Sequence, residues 1–179
     1  MVEAGSWYAV EAWPHDGNPL ESANFVVFSD AASEEARQEA ADIAEGVWAD
    51  LLEQFEITPE MFNFPQAQEK IHLYAYQNHF PLDWGARAYY GGVIIRSPNH
   101  LFQSGDPADY TATMTHELVH VVSNLLFGQY ALWVDVWFFE GLAEAIARGS
   151  AGDPIRSVDQ LDELTNQYGR TSPISIKQY

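Results

Sequence analysis

Apolar positions along the chain follow two periods. Ala36, Ala40, Ile43, Val47, Leu51 and Phe55 recur every three to four residues, which predicts an amphipathic helix over Ser33–Phe55, capped by Asp30 or Ser33. Asn24 to Ser29, with Phe-Val-Val-Phe at its centre, reads as a short buried strand. From Ile71 to Tyr76 the residues alternate, with Ile71, Leu73 and Ala75 on one side and His72, Tyr74 and Tyr76 on the other, so a second strand is expected. Gly91 to Arg96 is a third, rich in Val and Ile. Between these two strands Gln77 to Ala88 reads as loop, interrupted by Pro81 and Gly85.

Helical spacing then returns. Asp106-Pro107-Ala108-Asp109 is a helix start, with a capping Asp, Pro at the first helical position and a further acid in the first turn. This helix is expected to reach Phe127 and stop at Gly128, burying Met114, Val121, Val122 and Leu125. Another is expected from Val136 to Arg148, ended by Gly149, and a further one over Val158–Tyr168. Thr58-Pro59 marks a short turn, and residues 1–22 hold Trp7, Tyr8 and Trp13 in an irregular arm or a first strand. The order of strand, helix, two strands and helices predicts an α+β fold: a small, twisted, mostly antiparallel sheet with helices packed on one side.

At 179 residues and 47% apolar content, one domain with an ample core is expected over 1–179. The absence of cysteine excludes disulfides and thiolate metal sites. No apolar run has membrane-spanning length, so no membrane insertion is expected, and Met1–Gly5 has no signal-peptide character. A net charge of −18, with Lys70 and Lys177 the only lysines, makes nucleic acid and anionic membranes poor partners. Plain solubility accounts for such a surface. Sharper readings are a salt-rich environment, accessory Ca2+ sites, for which no motif exists here, or a preference for basic substrates.

Chemistry concentrates in two short segments. Residues 113–122 read Thr-Met-Thr-His-Glu-Leu-Val-His-Val-Val, and Glu140 follows in Trp-Phe-Phe-Glu-Gly-Leu-Ala-Glu. His116 and His120 are four apart, so on a helix both imidazoles leave one face and reach a single metal ion. A chance His-Glu-x-x-His is expected in roughly two of every hundred chains of this composition, so context has to decide. The motif lies in a run uncharged from Tyr110 to His116 and from Leu118 to Phe127. A buried helix does not carry His, Glu and His together without partners, because unpaired buried polar groups are costly. Glu140 completes a set of two imidazoles and one carboxylate, which leaves the fourth zinc position open, as catalytic sites require. One Zn2+ per chain is expected, in a site between the two motif helices. With that set complete, His72 reads as a strand-face histidine rather than a ligand.

His-Glu-x-x-His, followed twenty residues after its second His by Glu-Gly-Leu-Ala-Glu, resembles the gluzincin metallopeptidases. It is most similar to the small bacterial peptidase MA-like domains, distant relatives of thermolysin, whose second motif Trp-x-x-Glu-Gly-x-Ala-Glu is matched by Trp137 to Glu144. The likeness spans about residues 70–150. It implies a zincin-like fold, His116, His120 and Glu140 as metal ligands, Glu117 as the general base, and Glu144 as a carboxylate behind the ligands. It also implies a peptide or protein substrate and a secreted or cell-surface bacterial setting. Such peptidases have a helical lobe after the second motif, with a His or Tyr that stabilises the oxyanion. Here only Arg148 to Tyr179 follow, so that group is unassigned and part of the lobe is expected to be missing.

The chemistry that follows is hydrolysis of a peptide bond. Zinc lowers the pKa of a bound water to roughly 7, and Glu117 takes its proton and passes it to the leaving amine. Glu144 would accept a hydrogen bond from the free ring nitrogen of His116 and fix its tautomer. Amide substrates pair with exposed strand edges, and Gly91, Gly92 and Val93 are the candidate edge, since two glycines let a second backbone approach. A core strand after a turn explains the same residues equally well. Tyr90, adjoining that edge, is the first candidate oxyanion donor, ahead of Tyr89, Tyr130, His79 and His100. Endopeptidase action is the leading reading. An aminopeptidase of this superfamily would carry an acid where Gly91-Gly92-Val93-Ile94-Ile95 has none. A zinc-bearing binding module without peptidase activity is the third reading, and the retention of Glu117 argues against it.

The excess of 26 acidic over 8 basic residues generates a first prediction. Salt screens like charges over about 8–10 Å near physiological strength and about 3 Å at 1 M. The melting temperature is therefore expected to rise between low salt and about 1 M sodium chloride. A flat or falling trend in a thermal melt would show that the charges are spread without mutual strain.

Overall fold

The computed structural model describes residues 17–30, 33–62, 70–77, 85–89, 91–98, 107–128 and 136–150. Among them five strands form one sheet: β1 (Leu20–Glu21), β2 (Phe25–Phe28), β3 (Ile71–Tyr76), β4 (Ala86–Tyr89) and β5 (Gly92–Arg96). Three α-helices accompany it: α1 (Glu34–Gln54), α2 (Pro107–Phe127) and α3 (Val136–Ser150). The fold is α+β, as the order of elements predicts. The expected helix over Val158–Tyr168, the arm around Trp7, Tyr8 and Trp13, and the cap Asp106 lie outside the described residues.

The sheet runs β1-β2-β3-β5-β4 and is mixed. β2–β3 and β3–β5 pair in parallel, whereas β1–β2 and β4–β5 are antiparallel. This corrects the mostly antiparallel sheet expected from the sequence. The reason is topological. α1 carries the chain back from the end of β2 to the start of β3, which makes that pair parallel, as a crossover helix does. β5 adds in parallel on the other side of β3, and the two antiparallel pairs, β1–β2 and β4–β5, are short hairpins at the two sides of this parallel centre.

The stretch expected to be loop conceals β4. Its register sets Tyr89 opposite Gly92, so the β4–β5 hairpin has a two-residue loop, and Gly91 there has φ 76°. Tight hairpin turns demand such left-handed backbone, which glycine adopts without steric cost. Gly92 is glycine for a different reason. A Cβ at this position would lie 2.7 Å from the main-chain oxygen of His72 on β3.

Alternation divides the sheet into two unlike faces. Phe25, Val27, Ile71, Leu73, Ala75, Val93 and Ile95 point to the side that α1 and α2 cover and form the main core with Trp48, Met114, Leu118 and Val121. The opposite face groups Tyr74, Tyr76 and Ile94, with Phe28 and Tyr89 against them. His72 belongs to this aromatic face, edge-on to Phe28 at 5.4 Å between ring centroids, as expected of a strand-face histidine. α1 begins where the Ser33 hydroxyl accepts the Ala36 N–H at 3.1 Å. It ends with the Ile57 N–H on the Leu52 carbonyl and Glu56 left-handed at φ 52°. Glu45 ties this helix to the start of β2, accepting the Ser22 hydroxyl and the Asn24 main-chain N–H, each at 2.6 Å.

Gly92→Ala is expected to destabilise the sheet, because the added methyl meets backbone rather than a movable side chain. Overpacking of this kind costs about 1–3 kcal/mol, which lowers the melting temperature of a domain this size by roughly 2–4 °C per kcal/mol. An unchanged melting curve would show that β3 and β5 separate freely at this point.

Candidate metal centre

α2 has two different sides. Tyr110, Met114, Leu118, Val121 and Leu125 are buried toward the sheet and α1. The buried Thr115 hydroxyl donates to the Thr111 carbonyl at 2.8 Å, so it adds no unsatisfied group to that packing. His116 and His120, half-buried, leave α2 on the side where α3 packs. α3 turns Glu140 back toward them.

Three donor groups meet there. The Nε2 atoms of His116 and His120 are 3.2 Å apart. Glu140 Oε2 is 3.3 Å from His116 Nε2, and Glu140 Oε1 is 3.5 Å from His120 Nε2. Donors at zinc bond lengths of about 2.0–2.1 Å on a tetrahedron stand about 3.3–3.4 Å from one another. The observed spacings match that edge length. Two imidazole nitrogens and a carboxylate are also the donor types that suit a borderline cation. His116, His120 and Glu140 are the group among the described residues whose donor atoms all lie within 4.8 Å of each other. The three side chains that the sequence expects to share a site are brought together here.

Electrostatics separates the two nearby carboxylates. The His116 and His120 contacts hold the Glu140 carboxyl far below the usual carboxylate range, against the opposing effect of partial burial. Glu117 is only 8% exposed. Burial raises its pKa, while His116, His120 and a hydrogen bond from the Ala88 main-chain N–H pull the other way. Burial also disfavours the His116 imidazolium, but the Glu140 contact and the charges of Glu117, Glu140 and Glu144 outweigh it and raise the His116 pKa. Neighbouring acids whose pKa values move apart are a mark of sites that handle protons.

Glu144 departs from expectation in its bonding. Its Oε2 is 3.6 Å from His116 Nδ1, beyond hydrogen-bond reach, while its Oε1 accepts from Arg148 Nε at 2.6 Å. The carboxylate faces the ring as an ion-pair neighbour and is tied to the next turn of its own helix. The signal for Arg148 in the sequence is its place four residues after Glu144 on a predicted helix, the spacing at which side chains meet.

The candidate edge at Gly91, Gly92 and Val93 is corrected. β5 lies between β3 and β4, so its backbone groups are already paired on both sides. Among the described residues the terminal strand is β4. The Arg96 N–H bonds the Gly85 carbonyl at 3.2 Å, and the antiparallel alternation that this sets turns the main-chain groups of Ala86 and Ala88 away from β5. The Ala88 N–H is the one that Glu117 accepts. A signal for β4 existed in the alternation of Ala86 and Ala88 with Arg87 and Tyr89, masked by the Pro and Gly before it.

Tyr90, Tyr130, His79 and His100 lie outside the described residues. Tyr89 is described. It packs against the Tyr74–Tyr76–Ile94 cluster with the Arg87 guanidinium 5.7 Å from its ring centre. Burial pushes its pKa up to about 12, which the Arg87 charge opposes and the Glu117 charge reinforces. Trp137, one turn before Glu140, is 54% exposed and edge-on to Phe138.

Compared with protein-family models and with curated protein sequences, the chain gives no match.

The geometry predicts that the metal-free protein takes up about one Zn2+ per chain and that His116→Ala does not, since two remaining donors hold zinc weakly. Metal analysis after dialysis reads the difference. Full occupancy in the His116→Ala variant would remove His116 from the ligand set.

Proposed function

We propose that this chain is a zinc-dependent peptidase of the gluzincin type, acting within peptide chains. The observation that carries this reading is the convergence of His116, His120 and Glu140 at tetrahedral spacing with a buried Glu117 beside them. A metal used only for structure needs a fourth protein ligand and has no use for an adjacent buried acid. The zincin-like character of the fold rests on the same motif helices and on the resemblance of the two sequence motifs.

Zinc, when bound, supplies Lewis acidity that polarises a carbonyl and acidifies water. The protein's own residues supply the rest. Glu117 takes the proton of the attacking water. Its burial makes it a stronger base than an exposed carboxylate, and the Ala88 N–H fixes its orientation. It can then give that proton to the amine as the bond to carbon breaks. His116 and His120 orient the reacting centre from α2, and Glu140 balances charge from α3.

β4 supports a place for the substrate. The Ala88 N–H is taken by Glu117, but the Ala86 main-chain groups and the Ala88 carbonyl also face away from β5, so an extended peptide paired with them would bring an amide close to Glu117. Side chains of β4 contribute no acid to hold a free amine: Ala86, Arg87, Ala88 and Tyr89 are neutral or basic. This favours cleavage within a chain over removal of N-terminal residues.

Glu117→Gln is expected to keep zinc and the fold while lowering hydrolysis of a generic peptide by about 100-fold or more, the scale of a lost general base. Assays with and without chelator, with product mass analysis, test this. Activity near the wild-type level in Glu117→Gln would place the base elsewhere. A fully metal-loaded wild type without any hydrolysis would leave a zinc-bearing binding module as the function.

A further inference from the structure

Each carboxylate oxygen of Glu144 has its own neighbour. Oε2 looks toward Nδ1 of His116 at 3.6 Å, and Oε1 is held by Arg148 Nε at 2.6 Å. The short contact is therefore with the residue that takes no part in the ligand set. We propose that Arg148 is a positioning residue for the metal centre, clamping Glu144 in the rotamer that faces His116. The inference rests on the metal reading above and deepens it.

The physical case begins with what Glu144 would do alone. It is one turn from Glu140 on α3, and both it and Glu117 act on His116 through their charges. Three carboxylates around one imidazole repel one another. A glutamate about a third exposed, as Glu144 is at 31%, has water to turn to and several rotamers with which to reach it. The guanidinium opposes that. A charge-assisted bond at 2.6 Å fixes one carboxylate oxygen, and the planar group then leaves the other directed at the ring. The chain has 8 basic residues for 26 acidic ones, so carboxylates are plentiful. This guanidinium sits on the one that faces a candidate ligand.

The consequence for His116 concerns its ring. A carboxylate near Nδ1 favours the tautomer with the proton on that nitrogen and leaves the Nε2 lone pair free for a cation shared with Glu140 and His120. Arg148 thus acts on the metal through Glu144 and the ring, without touching either the metal or His116.

A double-mutant cycle read by zinc affinity tests this. Zinc itself is the probe, competed against a chromophoric chelator, on wild type, Arg148→Gln, Glu144→Gln and the double variant. Arg148→Gln is expected to weaken zinc by about 10-fold, the lower end of what outer partners of metal ligands contribute. Glu144→Gln is expected to weaken it by about 10- to 100-fold. In the Glu144→Gln background, Arg148→Gln should change affinity by less than about twofold, because its only route to the metal is gone. The metal-free forms should melt within about 2 °C of one another, since a partly exposed pair four apart on a helix adds little stability. Equal losses in both backgrounds, unchanged or tighter zinc in Arg148→Gln, or a matching loss of metal-free stability would each overturn the proposal. Zinc bound by the wild type with an additive cycle defeats this inference alone. A wild type that takes up no zinc defeats the metal reading and this inference together.

Discussion

One helix has to satisfy two environments, and the rest of the structure depends on how it does so. α2 buries Met114, Leu118, Val121 and Leu125 in the main core and carries His116 and His120 on another side. Burying each apolar side chain of that size contributes about 1.5–3 kcal/mol, which anchors the helix against the sheet. That anchoring is what lets two polar rings be held half-buried at a fixed spacing. Metal sites demand geometry within a few tenths of an ångström, and packed helices provide it better than loops do.

The second constraint is where the missing donors come from. α2 alone offers two imidazoles. α3 packs against it and returns Glu140, while the β4 edge adds a main-chain N–H at Glu117. The two acids then feel opposite environments. Glu140, reached by both imidazoles, is held strongly ionised, and Glu117, enclosed between α2 and β4, is pushed the other way. A carboxylate that stays charged suits a cation, and one that accepts a proton more readily suits a base.

The acidic character of the chain bears on this locally as well as globally. Glu117, Glu140 and Glu144 surround His116, and Arg148 is the cation that meets one of them. The His116 ring is thus set between a donor pair on one side and a braced carboxylate on the other. Aromatic packing of Phe28, His72 and Tyr74 on the far face of the sheet accounts for a further histidine without any ligand role.

The sequence by itself marked most of the elements and the candidate ligands. Period and capping marked α1 through Ser33, β3 through strict alternation, and α2 through Pro107 and Gly128, because these signals are local. His116, His120 and Glu140 were legible because two lie one turn apart and the third sits in its own short motif. Only the tertiary structure decided the pairing of strands. Whether Gly92 and Val93 are edge or interior depends on which strand comes to lie beside them, and β4 does, though it lies hidden at the end of a stretch that reads as loop. It also decided that the Ala88 N–H meets Glu117 and that Glu144 bonds Arg148 rather than His116. For Glu144 the two partners differ by about an ångström, 2.6 Å against 3.6 Å, a difference that residue spacing along a chain does not carry.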